Sequence, residues 1–205
     1  MQTLRLKRVL VLLVCAVLTA VCGCATPGQM KFLGDSLGLA KGRYVDQSWS
    51  DRVRIQAGGY SAIELARIDT SAILDQKGMT KAEAASLLRE SIVESSGSTQ
   101  VLAFSGAGPK ARLELAITEM DPGDALARAF AAELGAGHAY VQVEGRVIDD
   151  RTGAFLAAVA DRRRGTGVIG LRDTFGSSGP AMVREMIMGA GGDLKRELAQ
   201  LFQRE

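Results

Sequence analysis

All three cysteines of this 205-residue chain, Cys15, Cys22 and Cys24, fall at or before position 24. Whatever folds after them does so without a disulfide, a thiol nucleophile or a thiolate metal ligand. With His138 as the one histidine, a Cys/His zinc centre is not expected either, because such sites need three or four convergent ligands. Packing alone must hold the fold. The residues available are rich in Ala, Gly, Val and Leu, and only 5% of the chain is aromatic. About 180 residues follow Gly23, enough for one domain with a substantial core.

The cysteines sit where an export signal would place them. Arg5, Lys7 and Arg8 precede an apolar run, Val9 to Val21, broken only by Thr19. Thirteen residues at ~1.5 Å each make a helix of roughly 20 Å, short of the ~30 Å hydrocarbon core. A cleaved signal fits better than a permanent span. Val21-Cys22-Gly23-Cys24 resembles a lipobox: a branched apolar residue, two small ones, then the acceptor cysteine. We therefore expect residues 1–23 to be a lipoprotein signal peptide, read by its peptidase through Val21, Cys22 and Gly23. Cys24 would carry a diacylglyceryl and an N-acyl lipid, the only prosthetic group expected. Two or more acyl chains anchor stably where one does not. Ala25, in place of an aspartate, favours the periplasmic face of the outer membrane in a Gram-negative host. The competing reading is cleavage near Ala25, giving a soluble periplasmic protein. Loss of Arg5, Lys7 and Arg8 takes the formal charge from +2 to −1, so no nucleic-acid partner is expected.

Residues 24–43 read as a lipidated N-terminus and tether with one local contact at Phe32-Leu33, and 44–205 as a single domain. Ser61–Ile68 alternates as a strand. Thr80 and Glu83 form a capping-box pattern opening a helix to about Ser95, with Ala84, Leu87, Leu88 and Ile92 on one stripe. Gln100–Phe104 and Ala111–Glu119 read as strands. Asp121-Pro122 suggests an N-cap and first turn of a short helix through Leu126, Phe130 and Leu134. Ala139 to Ile148 and Ala154–Arg162 alternate around Asp149-Asp150-Arg151-Thr152-Gly153 as a hairpin, with Phe155, Ala157 and Val159 on one face. A last helix runs from near Pro180 to Phe202, either kinked at Gly189–Gly192 or packing its small residues tightly on the sheet. The order predicts an α+β domain: a mainly antiparallel sheet of four to five strands with helices packed on one face.

The pieces resemble uncharacterised bacterial lipoproteins of the DUF-3313 type. The likeness rests on Phe32-Leu33-Gly34-Asp35, on Arg43-Tyr44-Val45-Asp46, and on Val141 to Asp149 with Thr152-Gly153 and Ala157 to Arg163. Ser36 departs from it, standing where tyrosine is commoner. The resemblance implies an envelope lipoprotein and brings no catalytic residue.

The remaining motifs give no assembled chemistry. Gly165-Thr166-Gly167-Val168-Ile169-Gly170 matches G-x-G-x-x-G, but it follows a hairpin arm and precedes no clear helix, so the dinucleotide context is missing. An envelope hydrolase would have to use His138 as base; Ser105 lacks the glycine that leads a nucleophile elbow, and a strand-end structural histidine is the better reading. Asp149-Asp150 lacks the oxygen series of a calcium loop and suits a turn. Tyr140, Gln142, Glu144 and Arg146 would line one sheet face, and Arg162, Arg163 and Arg164 form the one basic run; together they are the candidate surface for an envelope protein or glycan. The expected function is a lipid-anchored, non-enzymatic binding or assembly module, with a subunit of an oligomeric envelope or secretion machine as the alternative.

Overall fold

The computed structural model describes residues 32–33, 47–93, 98–104, 107–124, 137–165 and 179–202. Among them run β1 (Gln47–Ser50), α1 (Arg52–Gly58), β2 (Ala62–Asp69), α2 (Lys81–Ile92), β3 (Gln100–Ala103), β4 (Lys110–Asp121), β5 (Ala139–Asp149), β6 (Phe155–Gly165) and α3 (Gly179–Phe202). The lipobox, the N-terminal part of the expected tether up to Lys31, and the expected helix through Leu126 to Leu134 lie outside the described residues.

The strands form one six-stranded sheet in the order β1-β6-β5-β4-β2-β3. This corrects the expected four to five strands. The sheet is also mixed: β2 pairs with β4 in parallel, whereas the other neighbours are antiparallel. The parallel pair arises because β3 returns along the outer edge of β2 and the chain then crosses to its inner side as β4. β1 and α1 were not foreseen. Gln47-Ser48-Trp49-Ser50 is too short and polar to show a period, and α1 buries only Ile55.

Pleating sends alternate side chains to opposite faces. One face carries Ile63, Leu65, Leu113, Leu115, Ile117, Val141, Val143, Val147 and Val159, all buried against α2 and α3. Thr80 caps α2 by accepting from Glu83 N at 3.1 Å. Glu83 does not complete the reciprocal box; its carboxylate takes Arg184 of α3 at 2.5 Å. The far end of α3 is closed by Phe202, between Tyr60 and Phe104 at ring separations of 5.9 Å each.

Helix α3 passes unbroken through its glycines. A Cβ on Gly191 would overlap the Ser91 hydroxyl and lie 2.7 Å from Ser91 Cβ. The close approach at Gly191 is therefore to α2, whereas Gly189 lies against the Arg163 side chain of β6 in the sheet. Gly192 faces open space. Gly191→Ala is expected to destabilise the domain by about 1–3 kcal/mol through overpacking, while Gly192→Ala should stabilise it by about 1 kcal/mol through helix propensity. Thermal unfolding of the two variants checks the opposite signs.

Candidate functional site

The second face of the sheet carries the predicted surface residues, and the strand register explains how they meet. Glu144 on β5 lies between Ala116 of β4 and Ala160 of β6. Two alanines beside a long acid leave a hollow over the carboxylate. Phe32 and Leu33 fill it. Their backbone N–H groups both donate to Glu144 Oε2 at 2.9 Å. Thr118 Oγ1 and Gln142 Nε2 donate to Oε1 at 2.8 and 2.9 Å. Glu144 is 0% exposed, a setting in which a carboxylate is tolerated only when hydrogen-bonded. Leu33 packs with Ala158 and Ala160, joined by Phe32, Trp49 and Phe155. The contact expected to be local thus reaches across more than a hundred residues of sequence.

Ionic groups surround the hollow. Arg146 stands 4.8 Å from the centre of the Phe32 ring and donates through Nη2 to Glu114 Oε2 at 2.7 Å. Arg67 adds a bond to the same oxygen at 3.0 Å. Burial raises the Glu114 carboxyl, but Arg146 and Arg67 outweigh it and hold the group below its usual range. Arg162 pairs with Glu119 at 2.9 Å. Arg162 and Arg164 lie 5.5 and 5.9 Å from the Tyr140 ring centre, within cation–π range.

Not all predicted residues belong here. Arg163 points to the helical face, where it pairs with Asp161 at 2.7 Å and with Asp193 of α3. Where the pairing carries no bulge, consecutive strand residues point to opposite faces, and β6 pairs regularly with β5 across Arg162-Arg163-Arg164, so the run is split two against one. Beside Asp193 lies a small pocket of about 140 Å³ between β6 and α3, lined in part by Asp161, Arg196 and Glu197. Among the described residues no group of three or more His, Cys, Asp or Glu is placed to hold a metal ion. No helix of the described residues is long and apolar enough to cross a membrane.

Three other predicted positions have assignable roles. His138 is buried, with Nδ1 at 3.1 Å from the Gly165 carbonyl; since a carbonyl only accepts, Nδ1 carries the proton. Asp149 accepts from Tyr60 Oη at 2.7 Å and from the amides of Arg151 and Thr152 at 2.8 and 3.0 Å, so it closes the hairpin. Asp121 ends β4 and accepts from Gly123 N at 2.7 Å, a turn where an N-cap was expected. Of the glycine motif, Gly165 ends β6 and the rest lies outside the described residues. Sequence reasoning missed the capture of Phe32-Leu33. Its signal was present: one apolar pair in a polar segment, and an acid flanked in register by alanines.

Residues 57–168 match the model of the family "Domain of unknown function (DUF4410)". The chain belongs to this family. The match runs from α1 through β6 and includes Glu144, while Phe32-Leu33, β1 and α3 lie outside it. It shows a domain-of-unknown-function family; the finer DUF-3313 likeness is not what it shows. No curated protein matches this DUF4410 chain. Among solved structures it is similar to the PelC dodecamer from Paraburkholderia phytofirmans, with 13% identity and TM-score 0.40 over 74% of this chain and 98% of that one. It is also similar to protein XCC0632 from Xanthomonas campestris, with 11% identity and TM-score 0.47 over 69% and 86%.

The Asp149 clamp gives a pH signature. The Tyr60 hydroxyl bond is the largest influence holding its carboxyl down, at about 2 against an ordinary 3.8. A depressed acid contributes stability that is complete above its unfolded value and is lost as pH falls through its folded one. Asp149→Asn should therefore lower the urea midpoint at pH 7 and flatten its fall between about pH 4 and pH 2. Urea titrations of both proteins across that range check it.

Proposed function

We propose that this DUF4410 chain is a lipid-anchored cell-envelope protein whose domain serves as a non-enzymatic binding or assembly module. The observation that carries the module reading is the use made of Glu144. Its carboxylate, fully buried on the face away from α2 and α3, is spent on holding the main chain of a peptide segment. The arginines and acids around it are largely satisfied by one another. A face arranged this way recognises peptide backbone and an aromatic side chain. It supplies no pair of acid and base poised at a reacting bond.

The anchor reading is supported by Arg5, Lys7 and Arg8, the apolar run after them, and Val21-Cys22-Gly23-Cys24. In this reading the protein is held on the periplasmic face of the outer membrane by acyl chains on Cys24, needs no other cofactor, and meets an envelope protein or glycan over Tyr140, Arg146 and Arg164, while the buried Gln142 and the largely covered Arg162 support that surface from beneath.

Palmitate labelling in cells should mark the wild-type chain and spare Cys24→Ala, which should leave the membrane fraction. Persistent label and membrane attachment in that variant would refute the anchor. A benzoyl-phenylalanine crosslinker at position 140 should give a discrete adduct in intact cells; no reproducible adduct would count against the module.

A further inference from the structure

The Phe32-Leu33 contact does more than cover a carboxylate. Cys24 precedes Phe32 by eight residues and β1 by 23. An extended chain spans at most ~3.3–3.6 Å per residue, so the tether reaches about 30 Å to the docked segment and about 80 Å to β1. We infer that the hollow at Glu144 is a docking site for peptide main chain whose resident ligand is the chain's own Phe32-Leu33, and that its occupancy fixes how far the domain stands from its anchor. The second half of this inference rests on the lipid-anchor reading of Cys24; the first half does not.

The chemistry of the site selects its ligand. Both captured amides converge on one oxygen, Oε2, at 2.9 Å. A ligand must therefore present two successive N–H groups on the same side, which excludes proline at either position. Ala158 and Ala160 form a shallow apolar floor on which Leu33 is 7% exposed. Arg146 lies over the first side chain and favours an aromatic there. The ligand class is thus a main-chain bend with an aromatic residue followed by an aliphatic one. Phe32-Leu33 supplies it from within the chain, at high effective concentration. Thr118 and Gln142 donate to Oε1, so release of the segment takes from Oε2 the two contacts made by Phe32 and Leu33. Release would raise the upper bound on the distance from Cys24 to the first residue held by the domain from about 30 Å to about 80 Å.

Amide hydrogen exchange on the mature, lipidated protein in detergent tests this. The amides of Phe32 and Leu33 should exchange at least about tenfold more slowly than free chain. Glu144→Ala should abolish that protection while β2 and β4 keep theirs. Ala160→Leu, which fills the floor and leaves the carboxylate in place, should do the same and covers the case in which Glu144→Ala does not fold. Free-chain exchange in the wild type, or protection that survives both substitutions in a folded domain, would overturn the docking site. Protection that rises with protein concentration would mean that a second copy's segment is the occupant, and would overturn the intramolecular statement. The Cys24→Ala protein should show the same protection. Absence of acyl mass on Cys24 in the wild type would remove the anchor and the reach argument, and leave the docking result standing.

Discussion

The two-residue period of the pleated strand is the constraint from which the rest follows. Along β4, β5 and β6 each side chain must go either to the helices or to the opposite face, with no intermediate choice. The helical face takes the aliphatic residues and closes without any disulfide. The opposite face takes acids, arginines and alanines. The division holds even within Asp161 to Arg164, where alternation sends Arg163 to Asp193 and its neighbours to Tyr140 and Glu119. A charge run that looks like one basic patch in the sequence becomes two unrelated arrangements in space.

Glu144 shows what the opposite face can do with that division. An isolated buried carboxylate would be costly, and the fold meets the cost with donors that include a hydroxyl, a side-chain amide and two backbone amides. Two of these come from a segment far away in sequence. The alanines matter as much as the donors, because a larger residue at 116 or 160 would occupy the space through which the segment reaches the acid.

The elements whose signals are local were legible beforehand. Thr80 marked the start of α2, the alternation around Asp149 to Gly153 marked the hairpin, and the aliphatic stripe marked α3. Signals that depend on partners were not. The bulge between Val147 and Ile148 opposes Phe155 to Ile148 and Ala157 to Val147, so Phe155 turns away from Ala157 and Val159 and meets Trp49, against the uniform alternation expected of it. The parallel pairing of β2 with β4 is a property of chain crossing that no period records. At the candidate site, Tyr140, Gln142, Glu144 and Arg146 were legible as one row. Their burial was not: Gln142 is 3% exposed. What covers a strand face is decided by residues distant in sequence.

The two kinds of contact on that face differ in their response to ionic strength. The arginine–acid pairs at its margin involve partly open side chains, with Arg67 54% and Arg112 39% exposed, and mobile ions screen such pairs over a Debye length of ≈ 10 Å at 0.1 M. The bonds from the Phe32 and Leu33 amides to Glu144 join neutral donors to an enclosed anion that dissolved ions do not reach. Raising salt would therefore slacken the rim before the centre, so that one continuous surface behaves as a fixed point inside an adjustable border.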